Sequence, residues 1–266
     1  MRTASRTVTV LTALAVLAFL VPSALGSSVA HPTANAVVAG PAVLIKVNSN
    51  GTVGYEAGQT LNSSGTALKA SWIQPKVNCT SLNATALFDT LLINSSAAQI
   101  AGTAVACSGG VASMFAWFAF LKGNTTTLTK ISTAVLPVSA GSIVTVTTTV
   151  AAGTAKIVIK VGTHSVTKSK AFTGRDFIGS VGVSGLPLHG GGIAPLANFG
   201  TMAFGNAFTH VTGTNDVTFN GTKGGIGSFP LAIQLTLVDS TSKVLAAPSA
   251  LSGSSSSFKV TWKAST

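Results

Sequence analysis

From about Lys46 onward the chain falls into short runs in which apolar and polar residues alternate. In SIVTVTTTV, Ser142 to Val150, the valines at 144, 146 and 150 share one parity and threonines 145, 147 and 149 the other. AAG follows, then TAKIVIKVG, Thr154 to Gly162, with alternation of the same kind. A period of two marks a strand with one buried face, and two such runs joined by a short Gly-containing loop predict a hairpin. HSVTKSKAF continues as a further strand, and DVTFN, LAIQLTLVD and SFKVTWKA supply strands near the C-terminus. No window shows sustained helical periodicity with capping residues. Turn signals between many short strands predict a sandwich or barrel. No tandem repeat is visible. SGSSSS, Ser252 to Ser257, precedes a single strand and reads as a loop, so residues 46–266 are expected to form one antiparallel β-sandwich domain.

The N-terminus has a different pattern. MRTASRT carries two arginines, VTVLTALAVLAFLV is continuously apolar, and PSALG ends in small residues. That order predicts a signal peptide over 1–26, cleaved after Gly26. The apolar run is shorter than the roughly 20 residues of a comfortable membrane span. Residues 27–45 read as a flexible lead-in. No later segment is long and apolar enough to cross a membrane, so a secreted, extracellular chain with no membrane span in its mature form is expected.

Charge adds to this picture. Without Arg2 and Arg6 there are fourteen bases against five acids, a net charge of about +9. The lysines are scattered, with no dense basic run and no aromatic interleaving, so nucleic acid is not the expected partner. The imbalance comes from missing acids. Acid denaturation is mostly protonation of carboxylates that are ionised in the native state. A chain with so few of them is expected to tolerate an acidic exterior. Two cysteines, Cys79 and Cys107, read as one disulfide in an exported protein.

Few catalytic constellations survive inspection. The four histidines (His31, His164, His189 and His210) are dispersed and the cysteines lie 28 apart, so no metal and no cofactor are expected. HGGG, His189 to Gly192, is similar to a lipase oxyanion loop, but a G-x-S-x-G elbow is absent. Glycoside hydrolysis would need two acids facing each other. The candidates are Glu56, Asp89, Asp176, Asp216 and Asp239, no two of them close in sequence on one strand face. Asp176 stands out in TGRDFIG, beside Arg175. It is either a structural ion-pair or turn residue or a catalytic acid.

An ordered series of blocks resembles the glutamic endopeptidases, the peptidase G1 or eqolisin family (also A4). VGYEAG, Val53 to Gly58, is similar to that family's WSGY, and ASWIQPKVNCT, Ala70 to Thr80, to SWTVPTVNCT. AAQIAGTAVAC, Ala97 to Cys107, resembles VEQIGTDSDC around the catalytic glutamine. SGGVASMFAWFAFL resembles NGVPSYYAWYEMYP, RDFIG falls where the family has AEWIVE, and PLANFGTMAFGNA resembles LADFGTVTFTNA. The resemblance spans about Gly51 to Ala207.

The resemblance implies a concanavalin A-like jelly roll of two curved antiparallel sheets. It also implies an acid-active endopeptidase acting on polypeptide, with a monomer expected. In that chemistry a carboxylate activates the attacking water. A glutamine amide steadies the developing oxyanion. The glutamine carries over to Gln99 and the carboxylate position to Asp176, where Asp replaces Glu and is one methylene shorter. Trp72, Phe115 and Trp117 carry over as substrate-pocket candidates, and Cys79 and Cys107 as the disulfide. Ala119, Thr90, Asn94 and Thr52 stand where the family has acids or tryptophans. Those losses support an alternative, a non-catalytic extracellular β-sandwich serving as a carbohydrate-binding or cell-surface module, binding or structural. The two readings differ on whether Gln99 and Asp176 face each other on one sheet.

Overall fold

A computed structural model of the protein describes residues 43–58, 65–80, 83–93, 97–122, 128–172, 178–188, 192–252 and 255–265. The expected leader and most of the lead-in lie outside these residues, as do Arg175, Asp176 and His189. The strands are β1 (Val43–Ser49), β2 (Thr52–Gly58), β3 (Gly65–Ile73), β4 (Asn83–Ile93), β5 (Ala97–Ser108) and β6 (Val111–Lys122). Next come β7 (Thr129–Lys130), β8 (Ile143–Ala151), β9 (Thr154–Val161), β10 (His164–Ala171), β11 (Ile178–Ser184) and β12 (Thr201–Phe204). A helical turn, α1 (Asn206–Thr209), precedes β13 (Asp216–Phe219), β14 (Thr222–Gly225), β15 (Leu231–Val238), β16 (Val244–Pro248) and β17 (Phe258–Trp262).

The pairings resolve into two layers. The front sheet runs β1–β15–β2–β11–β4–β5–β6–β7. The back sheet runs β10–β9–β8–β3, and β3 then pairs with β13 along most of its length and with β12 at Trp72. From β12 the back layer continues through β17 to β16, which also pairs with β15, so the two sheets join along one side. All pairs are antiparallel except β1 with β15. The expected antiparallel sandwich is thus what forms, with the predicted β8–β9 hairpin in place. α1 is the one helix among the described residues and spans four residues.

The core lies between the layers and is built from the inward parity of each strand. Tyr55 and Phe88 from the front sheet meet Trp72, Phe204 and Phe258 from the back. Phe204 stacks on Phe258 at 4.9 Å between ring centroids, and Tyr55 meets the edge of Phe258 at 4.8 Å. Buried aromatic pairs of this kind contribute roughly 0.5–1.5 kcal/mol beyond their apolar area. A short polar chain crosses the same layer. Trp72 Nε1 donates to Thr103 Oγ1 at 3.2 Å, and Thr103 Oγ1 donates to Gln74 Oε1 at 2.6 Å. Cys79 and Cys107 form the expected disulfide, which ties the end of β5 to the segment after β3.

Candidate functional site

Side chains alternate across a strand, and directly paired residues share a face. On the inner face of the front sheet stand Phe88 and Leu92 of β4, with Ala101 and Val105 of β5. The opposite parity therefore points away from the core. One row on that outer face reads Gly54, Gly182, Asp89, Gly102, Trp117, crossing β2, β11, β4, β5 and β6. The next row on one side is Glu56, Ser180, Leu91, Ile100, Ala119. The row on the other side is Thr52, Ser184, Leu87, Ala104, Phe115.

Three of the five residues in the central row are glycines, so a trough free of side chains crosses the sheet around Asp89. Backbone proximity requires them. A Cβ on Gly182 would collide with the Val53 carbonyl oxygen, and one on Gly102 with that of Phe88. Above this floor lies a cavity of about 140 Å³, lined by the polar Asp89, Ser180 and Ser184 and by the apolar Leu91, Ile100 and Trp117.

Asp89 is the chemical centre of the trough. It is 2% exposed, and burial pushes its carboxyl up to about 7 against the pull of a hydrogen bond with Ser184. Ser184 Oγ in turn lies 3.1 Å from Thr52 Oγ1. Asp89 Oδ2 has no hydrogen-bond partner. Glu56 stands one row along and two strands away, roughly 12 Å distant between Cα atoms by standard strand spacing. Burial pushes it up to about 7 as well. Below neutral pH both groups are therefore neutral acids. They can donate hydrogen bonds there but cannot act as bases.

The sequence-derived candidates divide between the two faces. Trp117 lines the cavity, and Phe115 stands on the same outer face with Lys130 Nζ 4.4 Å over its ring. Trp72 lies in the core. Gln99 pairs with Leu92 and Phe120 on the inner face, is 0% exposed, and has no hydrogen-bond partner at either amide atom. The physical reason is a count. Gly102 follows Gln99 by three positions, an odd interval, so the two face opposite ways. In the family block quoted above the interval is two. Asp176 lies outside the described residues, two positions before β11 begins, so its separation from Gln99 is not described. Sequence reasoning did not pair Glu56 with Asp89, because β11 enters between their strands from more than 80 residues downstream.

Neither a described protein family nor a curated protein matches the sequence. Among solved structures the chain is similar to scytalido-glutamic peptidase, crystallised with a transition state analog inhibitor. The TM-score is 0.61 at 13% identity, over 80% of this chain and 98% of that one. The two chains share a fold. A second likeness, to the enzymatically active domain of bacteriophage CBA120 tailspike protein 2, has a TM-score of 0.31 at 12% identity. It covers 56% of this chain and 23% of that one, too little to bear on the site. The glutamic-peptidase fold accounts for the layered architecture. At this identity it assigns no residue a role. Among the described residues no group of three His, Cys, Asp or Glu side chains is placed to hold a metal ion, and no helix is long and apolar enough to cross a membrane. The disulfide is the kind of bond that persists in an oxidising compartment.

Proposed function

We propose that this protein is a secreted, acid-acting endopeptidase in which Asp89, in its neutral form, donates a hydrogen bond to the carbonyl under attack. Asp176 serves as the base that takes the proton from water and passes it to the leaving amine. The observation that carries this reading is the buried Asp89 carboxyl, with one unpartnered oxygen, on the glycine floor of an open trough. An acid mechanism needs one carboxyl ionised and another protonated, which requires environments that push their pKa values apart. Asp89 and Glu56 are both raised, so neither is the base in acid. Asp216, paired with Lys223, and Asp239 do not line the cavity, so the base falls to Asp176, four residues before Ser180 in the sequence. The inward side chain of Gln99 favours Asp89 over Gln99 as the donor to the oxyanion.

The test is cleavage of a denatured protein by the mature chain between pH 2 and 8. Activity is expected in acid, falling as Asp89 ionises near pH 7. Asp176→Asn is expected to abolish it. Asp89→Ala is expected to lose roughly 10²–10³-fold, the worth of one oxyanion donor. Asp89→Asn keeps a donor and is expected to remain active with a weakened alkaline limb. If wild type and Asp176→Glu, with its longer reach, both fail to cleave between pH 2 and 5, the catalytic reading falls. The second reading, a non-catalytic sandwich that binds an extracellular partner, would then hold. The observations favouring it are the inward Gln99 and the Ala119 and Ile100 that stand on the outer face.

A further inference from the structure

We infer that the trough selects its polypeptide by one apolar side chain, of leucine to phenylalanine size, lodged in the cavity over β4, β5 and β6 while Trp117 and Asp89 hold the adjoining peptide group. The choice of polypeptide as ligand rests on the reading above, but the selectivity is tested by binding alone. Two independent features point to this. The first is the lining. Leu87, Leu91, Ile100, Leu121, Leu128 and Leu186 surround the space, and no basic residue is among the described residues that line it. Leu87, Ala104 and Trp117 form an apolar cluster of their own, separate from the sandwich core, with Ile100 and Phe115 packed against it. A charged side chain lodged there would give up its hydration and find only the neutral Asp89 carboxyl and the serine hydroxyls in return. About 140 Å³ accommodates one medium apolar group.

The second feature is polar. Several buried side-chain atoms lack a hydrogen-bond partner, and those that line this cavity belong to Asp89 and Trp117. Trp117 Nε1 is a donor, and Asp89 Oδ2 can accept, or donate when protonated. The two residues share one row with only Gly102 between them. At pH 5 Asp89 is protonated and both groups donate, so the pair matches the two lone pairs of one peptide carbonyl oxygen. Leaving both unpaired is costly in a buried site, so the pair favours an occupant with a backbone amide beside its apolar group.

The experiment measures binding of acetyl-Ala-Ala-Leu-Ala-Ala-amide and of its Lys and Gly analogues to the full chain carrying Asp176→Asn, at pH 5, by titration calorimetry. The leucine peptide is expected to bind at least about tenfold more tightly, the worth of burying one such side chain. Ile100→Trp, which fills the cavity, is expected to erase that preference with an unchanged melting temperature. Should that variant not fold, saturation transfer from protein to the leucine methyls of the peptide reports the same contact in the parent. Trp117→Phe is expected to weaken all three peptides about fivefold, the worth of one hydrogen bond, while keeping the preference. Equal affinities, no binding of any peptide, or a preference that survives in folded Ile100→Trp would overturn the inference. Hydrolysis by wild type without a leucine preference removes the selectivity alone. A leucine preference without hydrolysis removes the catalytic reading alone.

Discussion

Acidification is expected to stabilise this protein, the reverse of the usual trend, and Asp89 and Glu56 are the cause. The Asp89 carboxyl rises from 3.8 to about 7 on folding and Glu56 from 4.5 to about 7, both through burial. In the unfolded chain each is ionised from about pH 4–4.5 upward, whereas in the folded chain each stays protonated to about 7. Over that window the unfolded state binds fewer protons, so stability falls as pH rises. A tenfold change in a proton-binding constant is worth about 1.4 kcal/mol, so Asp89 alone removes about 4 kcal/mol between pH 4 and pH 8. Glu56, partly reached by solvent, removes about 2 kcal/mol on the same scale. Together they amount to a large share of the roughly 5–15 kcal/mol that holds a domain folded. Asp239 works in the opposite sense. Hydrogen bonds led by Thr241 hold its carboxyl below the usual range, so its contribution is lost only as the pH falls through that lowered value. The assay is urea unfolding followed by circular dichroism at half-unit steps from pH 4 to pH 8. A midpoint that falls through this window, and that becomes nearly flat in Asp89→Asn with Glu56→Gln, is the expected result. A midpoint that stays level or climbs from pH 5 to pH 7 in the wild type would refute the reasoning.

Gly182→Ala is expected to destabilise by several kcal/mol or prevent folding, because its Cβ meets the Val53 carbonyl oxygen of the adjacent strand, and thermal melts report the loss. Gln99→Leu replaces a fully buried amide that has no hydrogen-bond partner, so urea unfolding is expected to show unchanged or slightly raised stability. In a protein that cleaves polypeptide, Gln99→Leu is also expected to leave turnover intact, and a loss of 10²-fold or more would return the oxyanion role to Gln99. Cys79→Ser with Cys107→Ser opens a loop of 28 residues and is expected to cost roughly 3 kcal/mol, seen as a lower denaturation midpoint at constant slope.

Local pattern carried much of the architecture. Val144 and Val146 against Thr145 and Thr147 declare a strand with one buried face, and the short Gly-containing loop that follows declares a hairpin, since both signals lie within about twenty residues. β10, β13, β15 and β17 fall on the runs that alternation marked. The disulfide was legible because two cysteines in a chain expected to be exported have only each other. The trough was not. Gly54, Asp89, Gly102 and Trp117 come from four strands, and Gly182 completes the row from a fifth that enters the middle of the sheet from far along the chain. No periodicity reports which strands become neighbours, because that choice is made by long-range pairing and core packing. The face of Gln99 lay between these cases. Its odd distance from Gly102 and the alternation of Phe88, Asp89 and Leu92 were present in the sequence, but only the β4–β5 register shows which parity meets the core. A one-residue difference in a strand exchanges inside for outside. The sequence by itself determined that this chain would build alternating strands with one apolar face each. The tertiary structure decided that three glycines, two acids and a tryptophan would share the opposite face, because only the completed sheet sets strand order and burial, and burial is what holds those acids neutral up to about pH 7.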